Sequence, residues 1–455
     1  MKNLTIEHIT QACGGTYCGP QDEAGCTVSA ITTDSRKVEK DCLFVPIKGE
    51  RSDGHDYISS VMEHGALVTL TEVDLGEQAY PYIRVESSLQ AVKDIAQYYL
   101  AQLDIPVVGI TGSVGKTSTK EVIASVLEQK YKTLKTAGNF NNELGLPLTV
   151  FRLRDEDEIA VLEMGISDFG EMTRLAKIAR PNTCVITNIG QCHLENLGDR
   201  DGVLKAKTEV FDYLKDNGTV ILNGDDDKLC TVAEVQGKKP IFFGMHEHCA
   251  VYADELENMG LKGVACTIHT GGEAFRVQIP IPGRHMVYNA LAGTAVGRVY
   301  GLSLKQIKNG IESLQSLGGR FHIIETENYT IIDDCYNANP ASMQASLGVL
   351  QDALGRKVAI LGDMGELGAD EAALHGGVGE FAASTDIDMV ICVGPLCAHM
   401  AEGIRANNSK MEVVHFDTRD QLLENLPNLI KKGDTLLVKA SHFMQFEKVV
   451  AALQS

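Results

Sequence analysis

Lys116 and Thr117 close the turn Thr111-Gly112-Ser113-Val114-Gly115-Lys116-Thr117, in which glycines alternate with small side chains. A turn of this composition can cradle a nucleotide phosphate. Glycines let backbone N–H groups approach the oxygens, Lys116 supplies a point charge, and the Thr117 hydroxyl stands where it can reach Mg²⁺. The general pattern asks for a glycine five places before Gly115. Ile110 stands there instead, and Gly112 supplies a shorter loop.

Two elements must hold that turn. Val107 to Ile110 is β-branched, unbroken and short, which predicts a buried parallel strand. After the turn, Val122, Ile123, Val126 and Leu127 recur at helical spacing, so a helix N-terminus faces the phosphates. Further apolar strands are expected at Ile159 to Glu163, Cys184 to Asn188 and Val220 to Asn223. Ligands of open parallel sheets sit beyond the carboxyl ends of the strands. Glu163 falls there, and the turn after the third strand carries Asn188, Gln191, His193 and Glu195. Oxygen ligands suit Mg²⁺ and a neutral imidazole can join a metal shell. Taken alone, His193 reads as an ordinary loop histidine and Glu163 as a cap for the next helix. Their shared edge with the phosphate loop favours the functional reading.

Composition narrows the classes. The chain has 455 residues, enough for two to four domains. A net charge of −20 argues against nucleic-acid or anionic-membrane partners, which need a basic face. Twelve cysteines are scattered without a C-x-x-C pair, and the opening MKNLTIEHIT lacks a signal-peptide pattern. Reduced, mostly buried thiols in a cytoplasmic protein are therefore expected. No apolar run approaches membrane-spanning length.

Alternating strands and helices predict an α/β protein of three domains. Residues 1–103 form an α/β unit without a phosphate loop, with strands at Leu43 to Ile47, Leu67 to Thr71 and Tyr82 to Val85 and a helix from Leu89 to Leu100. Residues 104–317 hold the phosphate loop on a doubly wound, mostly parallel sheet, followed by a β-rich stretch at 240–282 and helical periodicity from Tyr288 to Leu314. Residues 318–455 read as a Rossmann-like α/β unit with strands at Thr330 to Asp333, Val358 to Leu361, Met389 to Val393 and Thr435 to Val438. The turn Leu317-Gly318-Gly319 marks the last join.

Short strings in all three units resemble the Mur ligases, the ATP-dependent amide-bond formers of peptidoglycan synthesis. They are Thr33-Asp34-Ser35-Arg36, Asp53-Gly54-His55-Asp56-Tyr57, the phosphate loop, Gly138-Asn139-Phe140-Asn141-Asn142-Glu143, Glu163-Met164-Gly165, His193 and Ala206-Lys207. The third unit adds Gly319-Arg320, Asp334-Cys335-Tyr336-Asn337-Ala338-Asn339-Pro340 and Leu361-Gly362-Asp363-Met364-Gly365-Glu366. Each string is weak alone; their number and order are specific.

The resemblance implies roles. Asp34 and Ser35 match the segment that holds the uridine diphosphate end of the substrate, in a uridine-binding first domain. Lys116 and Thr117 match the ATP phosphate and Mg²⁺ positions, and Glu163 and His193 match metal ligands. Lys207 matches the lysine that these ligases carbamylate, which turns a cation into a carboxylate able to help hold a second Mg²⁺; an unmodified helix-surface lysine is the alternative. Asn289, Arg320, Asp334, Tyr336, Asn337 and Asn339 match nucleotide contacts. Asn141 and Asn142 resemble the loop of the dipeptide-adding member, so UDP-MurNAc-tripeptide and D-alanyl-D-alanine are the substrates implied. Cys335 replaces a serine usual in the family, and His442-Phe443-Met444 replaces a smaller, more basic stretch.

The mechanism implied is an acyl phosphate formed from ATP and captured by an amine, in a monomer whose third domain closes on the second at Gly318 and Gly319. A ligase for another amino acid, a phosphate-loop kinase and a silent nucleotide-binding scaffold are the competing readings. The uridine-binding string speaks against a folate ligase.

Overall fold

A computed structural model describes residues 1–49, 52–316, 318–408 and 410–454. The expected join at Leu317 lies outside the described residues. Three sheets follow one another along the chain. Among the described residues these sheets hold five, nine and six strands.

The first sheet has five strands in the order 16–18, 82–84, 68–71, 43–44, 31–32, and only its 16–18 edge runs antiparallel. The edge strands at 16–18 and 31–32 are two or three residues long, too short to leave a period in the sequence. Helix Ser88–Leu103 is capped by Ser87, whose side chain accepts from the Gln90 N–H, and ends at Asp104 in a left-handed turn (φ 50°). Its apolar face does not stay with the first sheet. Ala91, Val92, Ile95 and Tyr99 share one buried cluster with Leu146, Val150, Leu162 and Leu175 of the central unit. Tyr99 also donates its hydroxyl to the Leu153 carbonyl at 2.7 Å.

The central sheet has nine strands. Its order is 273–279, 264–270, 251–258, 241–244, 219–223, 183–186, 107–111, 159–163, 133–135, parallel except for the antiparallel run from 251 to 279. From strand Val107–Thr111 the chain winds first toward 133–135 and 159–163, then crosses to 183–186 and outward. The loop after 107–111 thus lies at the switch point of a doubly wound sheet, where such folds bind ligands. Helices Lys116–Leu127 and His285–Val299 cover one face. Helices Ser88–Leu103, Glu171–Ala179 and Arg200–Thr208 cover the other. The expected single helical stretch from Tyr288 is two helices, His285–Val299 and Leu304–Glu312, because Gly301 takes φ 68° between them. The third central strand ends at Ile186, two residues earlier than expected, which frees Asn188 for the loop.

The third sheet has six strands in the order 322–325, 330–333, 435–439, 357–362, 389–393, 412–416, antiparallel only at 322–325. Seven of the twelve cysteines are buried and all twelve are free. Among the described residues, no helix is long and apolar enough to cross a membrane.

Candidate active site

The phosphate loop is fixed by the neighbouring strand's turn. Ser113 N–H donates to the Asn188 carbonyl, Val114 N–H to the Asn188 side-chain oxygen at 3.0 Å, and the Thr187 hydroxyl to the Val114 carbonyl at 2.7 Å. Gly112 (φ 147°) and Gly115 (φ 81°) hold left-handed backbone, and a Cβ at Gly112 would run into Thr187 Oγ1. Lys116 folds back to donate to the Gly112 carbonyl at 2.7 Å and the Ser113 carbonyl at 3.3 Å. Burial lowers its pKa, and the charge of Glu163 opposes that.

Glu163 lies behind the loop, 1% exposed. Its carboxylate accepts from the Thr117 hydroxyl at 3.0 and 2.9 Å and from Asn141 Nδ2 at 2.8 Å, and its backbone N–H donates to Thr136 Oγ1. Helix Glu171–Ala179 starts after Gly170, so Glu163 does not cap it. Lys120 is fully buried, donates to the Thr136 carbonyl at 2.7 Å and stands 3.8 Å from Glu163. The Thr117 hydroxyl and the Glu163 carboxylate are oxygen donors of the kind that Mg²⁺ takes, and an imidazole lines the same cavity.

That imidazole is His193, whose own backbone is left-handed (φ 50°) at the start of the short helix Leu194–Leu197. Its Nδ1 lies 3.1 Å from Oε2 of Glu366, a residue of the third sheet's unit that is also left-handed (φ 61°). Burial lowers the His193 pKa; Glu366 raises it, and Lys207 and Lys116 lower it further. Lys207 is 1% exposed, so it is no surface lysine. Burial first, then the charge of Lys116, push its pKa down to about 7. An ammonium this buried without a partner costs several kcal/mol, on the order of a buried ion's desolvation penalty.

A cavity of about 930 Å³ spans the central and third units. Its lining takes in Ser113 to Thr117, Asn141, Asn142, Glu163, His193 and Asn289 from one side, and Arg320, Asp334, Tyr336, Asn337 and Asn339 from the other. Asn289 accepts from the Thr119 hydroxyl at 2.9 Å. The Arg320 guanidinium lies 4.2 Å from the Tyr336 ring centroid, and His442 stacks with Tyr336 at 5.7 Å. Asp334 accepts from Lys439 Nζ at 2.6 Å and from the Ser346 hydroxyl at 2.7 Å. Asn339 caps helix Pro340–Gln351 in a capping box with Ser342, so its side chain is partly committed to the fold. Asn142 likewise accepts from the Leu144 and Gly145 N–H groups.

Three Mur ligase patterns tile the chain. The "Mur ligase family, catalytic domain" matches residues 27–102, the "Mur ligase middle domain" 110–297, and the "Mur ligase, glutamate ligase domain" 319–442. The UDP-N-acetylmuramoyl-tripeptide–D-alanyl-D-alanine ligase of Bacillus subtilis is 37% identical, covering 100% of this chain and 99% of its own length. This chain belongs to the Mur ligase family. The enzyme of the same name from Escherichia coli is 36% identical with the same coverage. A crystal structure of MurF from Acinetobacter baumannii is similar with a TM-score of 0.91 at 33% identity, covering 99% of this chain and 98% of that one. The MurF ligase from Thermotoga maritima in complex with ADP gives 0.82 at 30%, covering 93% and 97%.

In this Mur ligase the central and third units bring most of the expected residues to one cavity, while Thr111 and Gly112 lie just behind its lining. Lys207 is not among its lining residues, though its charge acts on His193. Asp34 and Ser35 are elsewhere: Asp34 caps the turn Ser35–Lys37, and pairing with Arg36 holds its carboxyl at about 2. Lys120, Thr136, Thr187, Lys439 and His442 were not among the expected site residues. Lys120 follows Lys116 by one helical turn and could have been found as a cation on the loop's own helix. Lys439 ends a parallel strand at the ligand edge, the signal that picked out Glu163. Thr136, Thr187 and His442 carry no such signal.

Proposed function

We propose that this Mur ligase joins D-alanyl-D-alanine to UDP-N-acetylmuramoyl-tripeptide with cleavage of ATP. The observation that carries the reading is full-length likeness to enzymes of that name, together with a phosphate loop facing an inter-unit cavity. ATP and both amide partners are substrates.

A carboxylate oxygen is too poor a leaving group for an amine to displace. The peptide's terminal carboxylate therefore attacks the γ-phosphorus; an O–P bond forms, the bond to the β–γ bridging oxygen breaks, and ADP leaves. The dipeptide amine then attacks the acyl carbon, and inorganic phosphate departs from the tetrahedral intermediate. The phosphate loop's N–H groups and Lys116 orient the phosphates and oppose their charge. Thr117, Glu163, His193 and carbamylated Lys207 would hold Mg²⁺, two ions in this reading, and the metal supplies positive charge to the phosphate oxygens. Lys120 offsets the charge of Glu163. Arg320, Tyr336 and Asn289 hold the nucleotide from both sides of the cavity, and Asn141 and Asn142 face the acceptor. Asp34 and Ser35 hold the uridine end from the first unit.

The units divide at 1–103, 104–317 and 318–455, which follows the three family patterns. The His193–Glu366 contact supports closure of the third unit onto the second. The enzyme acts as a cytoplasmic monomer in this reading. Phosphate release measured with ATP, Mg²⁺, UDP-MurNAc-tripeptide and D-alanyl-D-alanine is expected only when all are present. Release that ignores the dipeptide would overturn the reading.

A further inference from the structure

Beyond strand Ile241–Gly244 the chain makes the turn Met245-His246-Glu247-His248-Cys249, closed by the Cys249 N–H donating to the His246 carbonyl at 2.9 Å. Against it lies Asp225, from the loop after strand Thr219–Asn223. Oδ2 of Asp225 accepts from the Met245 N–H at 2.6 Å and from the Tyr288 hydroxyl at 3.0 Å. Its Oδ1 is buried with no hydrogen-bond partner among the described residues. A carboxylate oxygen, a His248 ring nitrogen and Cys249 Sγ lie within 4.8 Å of one another. His246 Nε2 is 3.9 Å from Oδ1, and its ring stacks on His248 at 5.7 Å.

Space for these groups is built into the backbone. A Cβ at Gly224 would come 2.7 Å from Cys249 Sγ, and one at Gly244 would come 2.6 Å from Asp225 Oδ1. A desolvated carboxylate oxygen left unpaired is costly, and a cation is the partner that removes the cost. The other Asp-His-Cys group, Asp363, His375 and Cys397, differs on this point. There His375 Nε2 accepts from the Met364 N–H, Nδ1 donates to the Glu371 carbonyl, and Asp363 accepts from the Cys397 N–H, so both imidazole nitrogens are occupied and the carboxylate has a partner.

We propose that Asp225, His246, His248 and Cys249 form a tetrahedral zinc site, separate from the Glu163 cluster. A thiolate with two imidazoles and one carboxylate suits zinc, whereas Mg²⁺ and Ca²⁺ favour shells of oxygen alone. Bonds of about 2.0–2.3 Å place tetrahedral ligands about 3.3–3.8 Å apart, which turns of the two exposed imidazoles can reach. On binding, the Zn–S bond forms and the Cys249 Sγ proton leaves to solvent. The ion fixes Asp225, and through it Tyr288, which lines the nucleotide cavity.

The test uses the full chain, stripped with a chelator and held with Mg²⁺ and ADP so that the phosphate site is filled. Titration with Co²⁺ should give a near-ultraviolet thiolate-to-cobalt charge-transfer band that saturates at stoichiometric metal and disappears on adding Zn²⁺. Cys249→Ser should lose the band. His248→Ala, at an exposed side chain that the fold does not need, should weaken Co²⁺ binding by at least about tenfold, the cost of losing even an outer-shell partner. Absence of the band in the natural protein, or its survival in Cys249→Ser, overturns the proposal.

Discussion

The Thr117 hydroxyl donates to both carboxylate oxygens of Glu163, at 3.0 and 2.9 Å, from positions 46 residues apart. The contact joins the first turn of the phosphate-loop helix to the end of the adjacent parallel strand. Both groups are buried, so their geometry is set by packing rather than by solvent.

Glu163→Gln keeps the shape of this contact and removes its charge. Turnover should fall by about 10²-fold or more, the usual cost of removing one aimed electrostatic group. Steady-state kinetics should show the loss in kcat, with KM for the dipeptide little changed. A fall confined to the dipeptide KM would remove Glu163 from the phosphate chemistry.

Lys207→Ala tests the carbamate. The variant should be nearly inactive, and added short carboxylates should restore part of the activity by supplying the missing anion. Inactivity that no carboxylate concentration relieves would leave Lys207 without the carbamate role.

Gly112→Ala should strain the loop. Its φ of 147° and the Thr187 hydroxyl in the path of a Cβ predict a cost of about 1–3 kcal/mol and weaker ADP binding by calorimetry. In a Thr187→Ala background, where the obstructing oxygen is gone and the lost hydrogen bond to the Val114 carbonyl is common to both chains, Gly112→Ala should cost less affinity than in the natural protein. Equal cost in both backgrounds would place the strain in the backbone alone.

His285 predicts an acid-side instability. Burial, against the opposing charge of Asp334, holds its pKa down to about 4, below the ordinary 6.5. Between those values the unfolded chain binds the proton and the folded chain does not, so stability rises with pH there. The full contribution is present above 6.5 and is lost as pH falls toward 4. The loss should amount to about 1–3 kcal/mol, allowing for the ring's partial contact with solvent. Unfolding of the natural protein and His285→Phe from pH 7 to 4 should show a steeper decline in the former. Parallel declines would count against His285.

The chemistry-bearing core of the site was legible because it is local. Lys116, Thr117 and Gly115 follow one another on a strand–turn–helix whose apolar spacing is visible, and Glu163 ends a strand of the same kind. The short edge strands and the antiparallel run from 251 to 279 were less legible, since pairing rather than periodicity creates them. Lys207 was placed by resemblance alone. Its local sequence suits an exposed helix as well as a buried one.

By itself the sequence determined the α/β class, the order of three units and the phosphate loop, because backbone propensity and side-chain periodicity act over a few residues. Only the tertiary structure decided that Lys207 is buried beside Lys116, that Glu366 meets His193, and that Asp225 faces the turn at 246–249. Those relations join residues far apart in the chain, and burial and electrostatics have no meaning until packing has brought such groups together.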